Sequence, residues 1–182
     1  MKKLFFLIII LVLIFGYFIY YKQDSVSTPT TDEIVFDGTF RPDPVNATFS
    51  FSDGDITFRD GKYTRSVAPG SSITEETSLT DMRAYGDLNA DKKNDTAVIL
   101  IQSGGASGVF IYLGGYVSGP LAYKGTNAIF LGDRITPRSV SIERGIITVS
   151  YLDRKDDEPF AAEPTVPVSK KFVFENNILV ER

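Results

Sequence analysis

Beyond residue 45 the chain is patterned in twos. Thr48-Phe49-Ser50-Phe51-Ser52 alternates strictly between polar and apolar, and so do Val140-Ser141-Ile142 and Ile147-Thr148-Val149-Ser150-Tyr151. A period of two sends one face of a strand to a core and the other to water. Residues 97–101 and 109–113 are instead apolar at every position, which predicts central strands covered on both faces. No window carries an i, i+3, i+4, i+7 apolar stripe, and Thr74 to Tyr85 fits a short helix or a strand equally well. Between the strand-like runs lie Asp53-Gly54, Asp60-Gly61, Arg144-Gly145 and Asn176-Asn177, at sites where two-residue hairpin turns need positive φ. The expected hairpins are therefore Ile56–Arg59 with Lys62–Ser66, Ser139–Glu143 with Ile146–Leu152, and Lys171–Glu175 with Ile178–Glu181. The fold class that follows is all-β, a small antiparallel sandwich or barrel of about eight to ten short strands.

The N-terminus breaks this pattern. Leu4 to Tyr21 is an uncharged apolar run of 18 residues, about 27 Å long as a helix, against a hydrocarbon core of about 30 Å. Lys2 and Lys3 precede it, and Tyr17, Tyr20 and Tyr21 gather at its far end, where aromatic rings favour the membrane interface. The charge asymmetry predicts a single-pass transmembrane anchor in the cytoplasmic membrane, residues 1–21, with the N-terminus inside and the rest extracytoplasmic. A cleaved signal peptide is the competing reading, but its apolar core is shorter and ends at small residues, whereas this run ends in Phe-Ile-Tyr-Tyr-Lys. Residues 22–33, KQDSVSTPTTDE, read as a linker, and residues 34–182 as the exported β domain, long enough to bury a core without disulfides.

Composition narrows the chemistry. The net charge is −4 with no Lys/Arg stripe, so no nucleic-acid partner is expected. There is no Cys and no His, which removes thiolate nucleophiles, Ser-His-Asp machinery and the usual histidine zinc sites. Any catalysis would fall to carboxylates, Lys, Tyr or a metal-bound water.

The sharpest chemical signal is Gly86 to Ile101, GDLNADKKNDTAVILI, an acidic loop running straight into an apolar strand. Asp87, Asn89 and Asp91 set side-chain oxygens at alternate positions, Lys93 offers its backbone carbonyl, and Asp95 closes the series. This is an oxygen-ligand pattern suited to Ca²⁺. It is not an EF-hand: Lys92 stands where that loop has glycine, Val98 where it has a bidentate Glu, and a strand follows instead of a helix. The competing reading is a solvated Asx-rich turn with Lys92 and Lys93 balancing its charge. Gly104-Gly105-Ala106-Ser107-Gly108 precedes a strand, so it predicts a hairpin connection and not a phosphate loop, which needs a helix after it. Asp153 to Pro159 is a charged cluster that reads as a solvated turn, or as carboxylates for glycosidic chemistry. Glu163 to Pro167 reads as a stiff connection. Asn46-Ala47-Thr48 and Asn94-Asp95-Thr96 match the short glycosylation triplet.

The order NATFSF, GDLNADKKNDTAVIL, GGASGVFIYL, YKGTNAIFLGDRI, ITVSYLDRKDDEP, VSKKFVFENNILV resembles a family of small exported or membrane-anchored bacterial proteins whose single domain carries a GDLNGDG-type acidic loop. The resemblance covers about residues 46–180. It implies architecture and compartment but no activity, and this chain has Ala90-Asp91-Lys92 where members often have Gly-Asp-Gly. Three functional expectations follow from the whole sequence. The preferred one is a non-enzymatic envelope module binding a protein or glycan partner and carrying one exposed apolar or aromatic patch. The others are a carboxylate-based cell-wall glycan hydrolase with acids from 153–163 converging in a cleft, and an inhibitor of a lysozyme-like hydrolase.

Overall fold

The strand that organises the fold is Asp95–Gly104 (β5), whose apolar residues are sunk on both faces. The computed structural model describes residues 39–105, 108–159 and 161–182, within the unit Phe36–Arg182; the expected transmembrane segment and linker lie outside the described residues. Among the described residues twelve strands follow in chain order: β1 Thr48–Phe51, β2 Gly54–Thr57, β3 Lys62–Ser66, β4 Thr74–Gly86, β5, β6 Val109–Val117, β7 Lys124–Gly125, β8 Ile129–Asp133, β9 Thr136–Glu143, β10 Ile146–Asp153, β11 Val166–Glu175 and β12 Ile178–Glu181. The domain is all-β with antiparallel sheets and a half-barrel. It has a two-stranded ribbon β1-β2, a four-stranded sheet β12-β11-β10-β9, and a six-stranded sheet β3-β4-β5-β6-β7 with β8 also paired to β6.

Alternation along β5 explains the layering. Ala97 and Ile99 join Ile111, Leu113, Leu131, Ile147, Val149 and Phe172 in the larger core, between the six-stranded and four-stranded sheets. Val98 and Leu100 join Phe49, Phe51, Ile56 and Phe58 of the ribbon in a second core on the other face. A strand apolar at every position is therefore the one strand type that can sit here, and 97–101 and 109–113 are central as the sequence predicts. Gly114 of β6 makes room for the second core: a Cβ there would lie 2.7 Å from the Phe49 ring.

The turns behave as their residue types require. Arg144 and Gly145, then Asn176 and Asn177, all take positive φ and close the β9/β10 and β11/β12 hairpins in the expected pairings. β5 and β6 pair antiparallel, so the glycine-rich stretch between them is a hairpin connection. One expected hairpin is wrong. Asp60 and Gly61 do form a tight turn at positive φ, but it closes a single bridge, Arg59 with Lys62. β2 pairs with β1, and β3 pairs with β4. The reason is Phe58, which is fully buried in the second core and whose N–H donates to Ala47 O at 2.9 Å; that anchoring pulls the chain off the would-be ladder. The strand count also exceeds the expected eight to ten, because β8 and the two-residue β7 share the flank of β6.

The ambiguous stretch 74–85 is a strand with a large bulge, in which Thr80, Asp81 and Met82 lie opposite Ile99 alone. Thr80 repairs the ladder with its own side chain: Oγ1 donates to Ile99 O at 2.9 Å and accepts from Met82 N at 3.1 Å.

Asn127 stitches the layers together. Its segment bridges β1 in parallel at Ser50, with Ser50 N donating to Thr126 O at 3.0 Å and Ala128 N to Ser50 O at 2.8 Å. Its side-chain amide reaches β12, donating to Leu179 O at 3.0 Å and accepting from Leu179 N at 2.7 Å. The preceding Gly125 lies so close to β1 that a Cβ would strike Thr48 O.

Candidate functional site

The acidic loop leaves β4 at Gly86 and re-enters the sheet at Asp95, so one turn of chain must reverse between paired strands. Ala90 and Lys92 take positive φ to do so. The loop carboxylates turn inward onto the backbone. Asp87 accepts Asp91 N at 3.2 Å and Lys92 N at 2.8 Å through its two oxygens. Asn89 Oδ1 accepts Asp91 N at 3.1 Å, and Asp91 Oδ1 accepts Lys93 N at 2.9 Å. These are Asx turns in series, each short Asp or Asn side chain capping a backbone N–H two or more residues on.

A second segment, at the end of β6, completes the arrangement. Asn89 Nδ2 donates to Ser118 O at 2.9 Å, and Ser118 Oγ donates to Asp91 Oδ2. Asp95 lies beneath, fully buried, accepting Ser118 N at 2.8 Å on one oxygen and Leu88 N at 2.7 Å on the other. Burial pushes the Asp95 carboxyl above the usual range, against the pull of those two amides and with Asp91 adding to the rise. Asp91 goes the other way: burial raises it, but the Ser118 hydroxyl, the Lys93 amide, Asn89 and the Lys93 charge together carry it below the ordinary value. Two neighbouring acids thus split, one favoured as the anion and one penalised, and the reason is environment and not residue type.

The five residues singled out in the sequence are brought together: Asp87, Asn89 and Asp91 share the loop, Lys93 follows, and Asp95 is the floor. Among the described residues no group of three or more His, Cys, Asp or Glu is spaced to hold a metal ion. What the sequence did not signal is Ser118, since nothing in Val117-Ser118-Gly119-Pro120 points back to a loop 29 residues earlier. The neighbouring Thr96 and Asn94 hold the incoming chain through Thr96 Oγ1 to Pro42 O at 2.6 Å and Asn94 Nδ2 to Phe40 O at 2.9 Å.

The cluster at 153–159 is a solvated turn. Asp156 and Asp157 are exposed, Glu158 folds back on Lys155 N at 3.0 Å, and Asp153 Oδ1 accepts Arg154 N at 2.8 Å. Arg154 is structural, its guanidinium donating to the carbonyls of Ala162, Asp133 and Arg134.

The second notable surface is aromatic. Even-numbered residues of β6 face the ribbon side, and the ribbon covers only the middle of that face. On one flank Phe51, Tyr112, Phe130 and Phe110 follow one another edge to face, with centroids 5.0, 5.5 and 6.2 Å apart, and Phe130 is 53% exposed. On the other flank Tyr116 and Tyr123 lie 5.4 Å apart, with Phe40 next to Tyr123. Comparison of the chain with protein-family models, with curated proteins and with solved structures finds no match.

Proposed function

We propose that this chain is a membrane-tethered, extracytoplasmic β domain that works by binding an envelope component and not by catalysis. The observation that supports the binding role is the row Tyr112, Phe130 and Phe110, in which Phe130 is exposed and the two rings beside it are half-buried. Apolar surface gathered in one place favours a partner, and rigid aromatic rings are the side chains that most often anchor one. The tether rests on the sequence: an uncharged 18-residue apolar run, lysines before it and a polar linker after it support a position of residues 34–182 beyond the cytoplasmic membrane. The acidic loop takes a supporting part. Asp87, Asn89, Asp91 and the Lys93 carbonyl would offer a weak site to Ca²⁺ in the range of extracellular modules, above the floor made by Asp95, and a bound ion would tighten the β4–β5 turn and the end of β6 that Ser118 ties to it.

Two measurements on the full chain test this reading. Protease added outside intact cells should remove residues 34–182, and protection of that domain would overturn the tether. Millimolar Ca²⁺ should raise Tm and EDTA should reverse it, with no response in an Asp87→Ala/Asp91→Ala variant; equal melting in Ca²⁺ and EDTA would remove the ion from the account.

A further inference from the structure

The cleft on the other flank of the ribbon has a chemistry of its own. About 400 Å³ of space is lined by the Tyr116 and Tyr123 rings, the exposed Thr48 and Ser50 of β1, Asp55 of β2 and Lys124 of β7. The two rings are in tilted contact, 5.4 Å apart with 32° between their planes, and together they give the cleft an aromatic wall. Tyr123 is pinned by its hydroxyl donating to Asn94 O at 3.0 Å, and Gly125 keeps β1 close enough to form the opposite wall. Rings fixed in this way lose little freedom when a ligand covers them.

The rim is polar, and two of its charges are unspent. Among the described residues neither the Asp55 carboxylate nor the Lys124 ammonium has an ion-pair partner within the domain, while eight other Lys and Arg side chains pair with a carboxylate or donate to a backbone carbonyl. An ionised Asp only accepts and a Lys only donates. A flat ring bearing hydroxyls, with an amide group that both donates and accepts, answers all of these features. The edge of β1 beside the cleft is already bonded to Thr126 and Ala128, so an added peptide strand would find no free ladder there.

We propose that this cleft binds a pyranose oligosaccharide containing N-acetylated amino sugars, with ring faces stacked on Tyr116 and Tyr123 and acetamido and hydroxyl groups read by Asp55 and Lys124. The inference rests on reading the domain as a binding module and names its ligand class; it does not depend on the tether or on Ca²⁺ at the acidic loop. The sites occupied by sugar and by the Phe130 row lie on opposite flanks of the ribbon, so one domain can hold a glycan and a second partner together.

The test uses the full chain in a detergent without a sugar head group, with chitotetraose and maltotetraose as probes, read by titration calorimetry and saturation-transfer NMR. Chitotetraose should bind at about 1 mM or tighter and at least about tenfold more tightly than maltotetraose. Asp55→Asn/Lys124→Gln, which alters exposed groups without ion partners, should weaken it about tenfold or more while leaving Tm unchanged. Phe130→Ser should leave it unaltered. Absence of chitotetraose binding, equal affinity for both sugars, or equal affinity in the Asp55→Asn/Lys124→Gln variant would overturn the assignment, as would a requirement for Phe130.

Discussion

Asp95 and Ser118 stand 23 positions apart, yet the Asp95 carboxylate accepts the Ser118 amide at 2.8 Å with no solvent reaching it. Its other oxygen takes Leu88 N at 2.7 Å. One side chain at the start of β5 thus closes the end of β6 and the exit of β4, each of which would otherwise bury an unpaired N–H. Only a two-oxygen acceptor can do this. Asp95→Asn should therefore destabilise the domain even though it removes a buried charge, because the amide nitrogen would face an N–H donor. The expected loss is about 1–3 kcal/mol in chemical denaturation, and an unchanged or raised midpoint would show that relief of desolvation is the larger effect.

The same loop makes a prediction in pH. Asp91 titrates below its ordinary value in the folded state, so folding favours its anion. That contribution is complete above the unfolded carboxylate pKa of about 3.9 and is lost as pH falls through the lower folded value. Asp95 is shifted upward, so its protonation on acidification favours the folded state and opposes that loss. Asp91→Asn should flatten the acid limb of a stability–pH curve below about pH 4 and leave the slope between pH 6 and 8 unchanged. A limb equally steep in the variant would place the acid sensitivity elsewhere.

How much of this was legible beforehand depends on how far each residue's partner lies along the chain. Arg144-Gly145 and Asn176-Asn177 announce their turns because positive φ is a property of the residues themselves. In the acidic loop the Asx-rich turn is legible for the same reason, its side chains capping near neighbours. Asp60-Gly61 announces its turn in the same way but not the strands that pair around it, because Phe58 belongs to a core shared with Val98 and Leu100 and no local pattern reports that. β4 could not be told from a helix because its bulge at Thr80–Met82 breaks the alternation. The floor role of Asp95 left one trace in the sequence: an acid set directly against Thr96-Ala97-Val98, a strand buried on both faces, has nowhere to put its charge except onto backbone amides.

The tie between Asn127 and Leu179 joins sheets that no backbone ladder connects. Its two hydrogen bonds imitate a β bridge with a side-chain amide, and Leu179 is 2% exposed, so water does not replace a lost partner. Asn127→Ala should cost about 2 kcal/mol and speed amide exchange at Leu179 selectively within β12. Asn127→Asp should behave as badly, since a carboxylate can still accept from Leu179 N but repels Leu179 O. Retention of wild-type exchange in both would mean that packing of the larger core, and not this amide, holds β12 in place.

A gain in stability is available at Thr77. Its side chain is fully buried on β4, and its Oγ1 is the buried side-chain polar atom without a hydrogen-bond partner among the described residues. Valine has the same branched shape and no hydroxyl to desolvate, and it suits a strand at least as well. A buried hydroxyl left unpaired costs about 1–3 kcal/mol, so Thr77→Val should raise stability by about 1 kcal/mol with no change in the denaturant slope. Thr77→Ser keeps the hydroxyl and leaves a methyl-sized gap, and should lower it. If Thr77→Val were instead destabilising, the hydroxyl would have to be meeting a partner in solution, and β4 would pack differently against Tyr63 and Gln102, its register neighbours at that position.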